Sequence, residues 1–531
     1  MSQQTFDTGI AGRRDGRRIS VAPFAEFNIT PRLLRVALCS LGFLAFFAMT
    51  DFDLYMRPEF GALAALVAMC FAGRTPWREL RALPVVRMLG IFIAFLIVHA
   101  LYATWVVPGI SYSDQLSTAA KLVRLGVFCC VVGWWLSVCP RAIPGLLGLM
   151  VLGLLVAVLY HMPWHSLPAI WDGEMRPRFG IPENLSGQLA AVGGWLSLCL
   201  LIGIWRDHPR GGRRTWLLAV GITAYAGSFC VLLFSQSRGA WLAFLSATPV
   251  AIIGYWLTRR PRGIRTLPWQ PIVLGALISL LLALGARDIF AIRFAGAERM
   301  LPAAEQAAGV VAPAKPAPMV PAVPAAQTSP AAAAKVAESP RVDSSAAASH
   351  DELAPDATEH DQGASAGPVP SAATASTLDT TVPGNKAIGI RMRLYELGMQ
   401  KFKERPLLGW GLDSTGWLIE SAHLDLAGER HVHLHNAYLD ALVGMGLVGS
   451  LLLLTLFALV IRELVLAWRG GIISTASFWA LAGCVGIVLV ANAFDSLLWR
   501  FEYARAPQEL LFGCCIAYAL IRRRERLSKA A

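Results

Sequence analysis

Long apolar stretches separated by short, arginine-bearing connections run through most of the chain. A bilayer core takes about 20 apolar residues per helix, within roughly 17–25. On that measure twelve segments are read as spans: 32–50, 58–73, 85–106, 117–138, 142–162, 184–205, 215–235, 239–257, 268–286, 437–461, 474–494 and 504–521. Their connections alternate in character. Arg74, Arg78, Arg81 and Arg87 follow the second span, Arg206, Arg210, Arg213 and Arg214 the sixth, and Arg259, Arg260, Arg262 and Arg265 the eighth. Arg462 and Arg469 follow the tenth, and Arg522, Arg523, Arg524 and Arg526 end the chain. With twelve crossings all of these fall on one side, which the positive-inside rule makes the cytoplasmic one. Loops 51–57, 107–116, 163–183, 236–238, 287–436 and 495–503 then lie opposite. The pattern predicts an all-α integral membrane protein with about twelve transmembrane helices, both termini in the cytoplasm and a long periplasmic loop between helices nine and ten.

Three regions follow: a membrane bundle over 1–286 with about nine spans, the periplasmic loop 287–436, and 437–531 with about three spans and a basic tail. Within the loop, 302–386 is dominated by Ala, Pro, Ser and Thr. It holds too few large apolar residues to offset the entropy of ordering, so disorder is expected there. Residues 388–404 return to a helical period: Ile388, Leu394, Tyr395, Gly398, Met399 and Phe402 share one face, Arg391 lies on it, and Arg393 lies opposite. Pro406 and the glycine-rich PLLGWG end that helix. No internal repeat of the kind found in inverted-repeat transporters is evident.

Composition agrees with a lipid environment. The chain of 531 residues is 55% hydrophobic and 15% charged, with a mean hydropathy of +0.53, whereas soluble domains carry roughly 25% charged residues. The net charge of +12 arises from arginine clusters between apolar segments, which is a topology signal and not a nucleic-acid-binding face. The ten cysteines lie in or beside apolar segments, with none in the long loop, so no disulfide framework or CxxC metal pattern is present. The first thirty residues are polar, with Arg13, Arg14, Arg17 and Arg18, and the first span is read as an uncleaved helix.

The strongest candidate for chemistry is HNAYLDALVGMGLVG, beginning at His435 where the polar loop meets the tenth span. On a continuous helix Gly446 and Gly449 fall within about 40° of His435, giving a seam for close helix packing. Two readings stand at this point: a histidine facing a substrate crevice, or an interfacial histidine at an ordinary packing seam. His431, His433 and His435 alternate. On an extended strand they form a narrow, one-sided set, against the three or four converging ligands zinc takes, and no metal is expected. Lys121 and Arg124, near the outer end of the fourth span, either guide an anionic ligand or pair with Asp114.

A histidine, then Asn, Ser or Gln, nine residues, and GxxG resembles the pattern of O-antigen ligases and the related O-antigen polymerases. SQSRGAWLA, with Arg238 and Gly239, is similar to the family's Ser-Arg-Gly at the outer end of a span. The helix bearing Arg391 and Tyr395, followed by RPLLGWG, resembles its arginine-to-tryptophan helix, with tyrosine in place of tryptophan. RFGIPENLSGQLA, with Arg178 and Asn184, resembles its Arg…Pro-Asn segment, although Glu183 separates Pro182 from Asn184. The resemblance covers roughly 170–510 in order, apart from 302–386.

The resemblance implies a glycosyltransferase that moves a glycan from undecaprenyl diphosphate to lipid A–core at the periplasmic face of the inner membrane, in lipopolysaccharide biosynthesis. Its partners are the lipid-linked glycan, the acceptor and membrane lipids. It implies no cofactor, nucleotide or metal. Diphosphate is a good leaving group once its charge is stabilised, and arginines do this through charge-assisted, often bidentate, hydrogen bonds. Arg238, Arg391 and Arg178 are the candidates for that role, His435 for the group that accepts the acceptor's proton, and Asn436 for an accessory one. Arg238 is also suited to anchoring a helix end among headgroups. An O-antigen or exopolysaccharide polymerase and a protein O-glycosyltransferase share the pattern. A secondary transporter or glycolipid flippase is a reading from another class.

Overall fold

Prolines set where several helices begin. A proline at the first helical position gives up an N–H that has no partner there in any case, and its fixed φ suits the helix. Pro31, Pro58 and Pro84 open α1 (Pro31–Phe47), α2 (Pro58–Phe71) and α4 (Pro84–Val106), with α3 (Thr75–Arg81) between the last two. The Thr30 hydroxyl accepts from the Leu33 amide at 3.2 Å and caps α1. The chain continues through α5 (Tyr112–Val138), α6 (Ile143–His161), α7 (Leu167–Trp171), α8 (Glu183–Asp207), α9 (Gly212–Phe234), α10 (Arg238–Arg259), α11 (Trp269–Gly285) and α12 (Arg287–Phe294). After 295–382 come α13 (Pro383–Glu404), α14 (Ser414–Ser421), α15 (Ala437–Arg469), α16 (Thr475–Ala491) and α17 (Arg505–Ala530).

The structure, a computed structural model, describes residues 29–49, 57–107, 109–207, 209, 211–259, 269–294, 383–424, 426, 428–496 and 504–530. Among the described residues there is no strand. Of the segment 302–386 expected to be disordered, 302–382 lies outside them, as do the arginines of the first 28 residues, whereas 383–386 form the first turn of α13 and correct that boundary.

All twelve segments read as spans coincide with helices. Among the described residues, seven helices are long and apolar enough to cross a membrane: Pro84–Val106, Tyr112–Val138, Pro140–His161, Glu183–Arg206, Gly212–Phe234, Arg238–Thr258 and Ala437–Arg469. The count is nine if α2 with α3, bent by 107°, and α11 with α12, bent by 68°, each make one span. The other three segments fall short for visible reasons. α1 and α16 have 17 residues each, about 25 Å at ~1.5 Å per residue. α17 carries Arg505 and Glu509 in its first turns and a run of arginines at its end. The multi-pass character stands.

One large core unites the bundle around Trp134 and Trp135, both fully buried. α17 packs along α5, α9 along α8, and α16 against α10 and α8. At one end of these helices ion pairs tie the chain's tail to earlier elements. Arg524 bonds Glu79 of α3 at 2.7 and 2.9 Å, and Arg522 bonds the buried Glu463 near the end of α15. A second, smaller core lies under α13 and α14, where Ile390, Leu394, Leu397, Leu418, Ile419, Leu434, Leu439 and Val443 are buried together. It fixes α13 to the first turns of α15 and so positions the loop that carries His435.

α15 is not the continuous helix expected from its sequence. It breaks at Gly446, whose φ of 63° and ψ of −167° suit only glycine. The PLLGWG turn lies in the break. The Trp410 and Gly411 amides donate to the Val443 and Gly444 carbonyls, each at 2.9 Å. The Leu447 and Val448 amides donate to Pro406 and Leu407 at 2.8 and 3.1 Å. Backbone groups freed by the break are thus satisfied within the protein, as a break in an apolar helix requires. The angular argument that put Gly446 and Gly449 on the His435 face assumed an unbroken helix, and it does not hold. A Cβ on Gly446 would meet the Leu407 carbonyl oxygen at 2.3 Å, while Gly449 faces Phe95 of α4.

Candidate functional site

Four segments converge beside the start of α15. The first is the turn between α9 and α10, SQSRG. Gln236 has a left-handed φ of 50°, which aims its buried side chain back at the 173–175 backbone; its amide donates to the Gly173 and Met175 carbonyls, both at 3.2 Å. Its oxygen accepts from Arg293 Nε of α12 at 2.8 Å. Arg176 grips the same turn, donating to the Ser235 carbonyl through Nε (3.0 Å) and Nη2 (2.8 Å) and to Asn184 Oδ1 (3.0 Å). Arg238 follows at the N-terminus of α10.

The second segment is α13. Arg391 Nη1 donates to the Phe494 carbonyl at 3.1 Å. Tyr395, one turn on, donates its hydroxyl proton to the His435 carbonyl at 3.3 Å. Burial pushes the Tyr395 phenol up from its ordinary value, and the Arg391 charge opposes that. The charge placed on an apolar face thus finds a backbone partner from another element, as a half-buried guanidinium requires.

The third and fourth segments are the loop entering α15 and the residues after α16. His435 itself has φ of 53°, a conformation uncommon outside glycine and found where surrounding contacts enforce it. Those contacts are visible. The Asn436 side chain caps α15, accepting from the Tyr438 and Leu439 amides at 3.0 and 3.1 Å, and the Ala437 amide donates to the Asn492 carbonyl at 2.8 Å. Buried Asp440 accepts from the Leu434 amide at 3.1 Å and from the Ser496 hydroxyl.

Asp495 lies between these anchors, buried, with one carboxylate oxygen 3.3 Å from His433 Nε2 and 3.5 Å from His435 Nδ1. Burial alone pushes that carboxyl up, but hydrogen bonds from His433 and His435 prevail and hold it well below the usual carboxylate range. His431 Nδ1 and His435 Nε2 share a hydrogen bond of 3.1 Å, and burial followed by the neighbouring His435 lowers the His431 imidazole's pKa. The arrangement holds an imidazole between a buried carboxylate and a second imidazole. A carboxylate on one ring nitrogen fixes the tautomer and leaves the other nitrogen basic, the logic of acid–base dyads.

The cations form the other half of the site. Arg238 and Arg176 both lie within Coulomb range of Arg391, and Arg293 within range of Arg176 and Arg238. Like charges gathered beside one another are unfavourable without an anion, and four of them suit a multiply charged one.

Of the residues singled out in the sequence, Arg238, Arg391, Asn436 and His435 come together here. Arg178 does not. It is 80% exposed and pairs with Glu183 at 2.8 Å, while Arg176, two residues earlier, takes the inward position. Arg124 pairs with Glu59 at 3.0 Å and not with Asp114, and Lys121 lies half-buried one turn away on α5. Asp495, Arg176 and Arg293 were not singled out. Arg176 shares its segment with Arg178, whereas Asp495 and Arg293 carry no local signal.

Residues 223–454 match the family model described as O-antigen ligase. The matched segment contains Arg238, Arg391, Tyr395 and His435, and leaves Arg176 and Asp495 outside. No curated protein matches the chain. The matched segment, somewhat less than half of the chain, is similar to O-antigen ligases.

Proposed function

We propose that the protein is an O-antigen ligase-like glycosyltransferase that moves a glycan from undecaprenyl diphosphate to lipid A–core at the periplasmic face of the inner membrane, a reading that the likeness of residues 223–454 to O-antigen ligases supports. The observation that carries the reading is the meeting of His435 with Arg391. Arg391 bonds the carbonyl of Phe494, and the next residue, Asp495, bears on the His435 ring. In this reading the diphosphate sits among Arg238, Arg391, Arg176 and Arg293, whose charge stabilises it as it departs. Asp495 keeps the His435 proton on Nδ1, so Nε2 accepts the proton of the attacking acceptor hydroxyl, directly or through His431. The glycosyl bond to the diphosphate breaks as the bond to the acceptor oxygen forms. An activated donor and a proton acceptor suffice, without nucleotide or metal.

The proposed topology has twelve crossings with both termini cytoplasmic. The break at Gly446 supports the site's placement at the membrane surface: Leu447–Arg469 alone measures about 34 Å at ~1.5 Å per residue, enough to cross. The half-helix before it is then free to carry His435 at the outer interface.

The test is transfer by purified protein with an undecaprenyl-diphosphate-linked glycan and a lipid A–core acceptor, without nucleotide, ion gradient or added metal. Glycan–core product is expected. Polymerised glycan with no core product would instead assign a polymerase, and no product with either acceptor would remove the transferase reading. His435→Ala should lose most transfer and keep donor binding. Arg238→Ala and Arg391→Ala should weaken both, because they hold the diphosphate in ground and transition states alike. Arg393→Ala, on the other side of α13, should matter little.

A further inference from the structure

The His-x-His-x-His segment does not run as a flat strand. The left-handed turn at His435 brings the His433 and His435 rings to 4.2 Å between centroids, and those of His431 and His435 to 5.2 Å. Asp495 arrives from 60 residues further along the chain to complete the group. Ligand-type atoms of His433, His435 and Asp495 all lie within 4.8 Å of one another. The geometric reason for expecting no metal therefore fails: the set converges from two directions.

The spacing has a definite consequence. A tetrahedral ion with bonds of about 2.0–2.1 Å to nitrogen and oxygen has ligand–ligand edges of roughly 3.3–3.4 Å. Two of the three edges here, 3.3 Å and 3.5 Å, already have that length. Two imidazoles and one carboxylate are a donor set that zinc accepts. His431 supplies the outer partner. Its bond to His435 Nε2 is the second-shell contact that metal-bound imidazoles usually make. The nearby arginines oppose a cation, which favours reversible occupancy over the tight binding of a structural zinc site.

We propose that His433, His435 and Asp495 form a binding site for a zinc-class divalent cation, and that its occupancy switches transfer off. The second clause rests on the reading of His435 as the proton acceptor. Neutral imidazole has one nitrogen lone pair free. With a metal on Nδ1, the ring proton resides on Nε2 and donates to His431. His435 then has nowhere to place the acceptor's proton. No net proton is gained or lost in the change, since only the tautomer shifts.

The experiment uses the full-length protein in lipid nanodiscs, with affinity tag removed and chelator-treated. Zn²⁺ binding is measured by calorimetry, and Co²⁺ by the visible absorption of a tetrahedral centre. One equivalent is expected to bind. Asp495→Asn and His433→Gln should each weaken binding by at least about tenfold, while His165→Ala, at an exposed position, should leave it unchanged. Zn²⁺ should raise the melting temperature of the wild type and not that of the two ligand variants. Absence of saturable one-equivalent binding, or equal binding by all three variants, overturns the site. In the transfer assay Zn²⁺ should inhibit with a midpoint that follows its Kd, and chelator should restore activity. A wild type that holds the ion and keeps full transfer overturns the switch. A preparation that binds the ion but never transfers supports the site and counts against the ligase reading alone.

Discussion

His435 occupies a strained backbone position that its neighbours enforce; its Nε2 is hydrogen-bonded to His431 and its Nδ1 lies 3.5 Å from the Asp495 carboxylate. If Asp495 sets the tautomer, then Asp495→Asn should leave the loop intact and reduce kcat by about 100-fold, the scale of a lost acid–base contribution. Donor affinity should stay close to that of the wild type, and a parallel loss of donor binding would instead mark Asp495 as an element of the binding cavity. A second comparison concerns two arginines two residues apart. Arg176→Ala removes three hydrogen bonds that tie the 176–178 segment to Ser235 and Asn184 and one of the site's cations, so transfer and donor binding should both fall. Arg178→Ala removes a solvent-screened pair with Glu183, and transfer should be nearly unchanged. Equal effects would contradict the inward placement of Arg176. These pairs also show what the sequence could reveal. His435 and Arg391 were legible because one begins a spaced motif and the other interrupts an apolar helical face. Asp495 lies outside any helix and Arg293 near the end of the short helix α12, and only tertiary packing brings them to the site. Arg176 and Arg178 lie on irregular backbone, where alternate exposure cannot be read from spacing.

At the scale of elements, the twelve apolar segments were legible because hydropathy and helical period act together, and each lies on a helix. The break in α15 was not. Glycine is common in membrane helices, so GMGLVG reads equally well as a packing seam. What decides between seam and break is the partner, and that partner is the backbone of PLLGWG, with Leu408 further held by His99 Nε2 of α4 at 2.6 Å. Gly446→Ala is therefore expected to cost about 1–3 kcal/mol in backbone strain alone, and more from contact with Leu407. Thermal melting should show a clear loss, with transfer falling as the half-helix bearing His435 shifts. Gly90→Ala in α4, where an added methyl meets nothing within 4 Å, is the comparison and should melt as the wild type does. If both variants melt alike, α15 is continuous in solution.

For the whole molecule the arginine-rich connections make a joint claim that the ion pairs support in part. Arg524 with Glu79 and Arg522 with Glu463 bring the chain's end to the connection after α2 and to the end of α15, so these three regions share one end of the bundle. A topology reporter fused after Ile521 should read cytoplasmic, and one placed within 310–380 should read periplasmic; the same side for both would end the twelve-crossing arrangement. The segment 302–386 has a composition that lacks the apolar residues to form a core. The site draws on Arg176, Arg238, Arg293, Arg391, His435 and Asp495, none of which lies within 302–386. Closing a shorter loop between α12 and α13 changes the entropy only by roughly 0.6 kcal/mol per factor of two in length. Deleting about 305–380 should therefore leave membrane insertion, melting temperature and most transfer in place. If the shortened protein inserts and melts normally yet transfers nothing, the segment takes part in recognising a substrate. If it fails to insert at all, the loop is needed to bring α13 to α15, and the small core of Leu394, Leu434 and Leu439 cannot assemble without it.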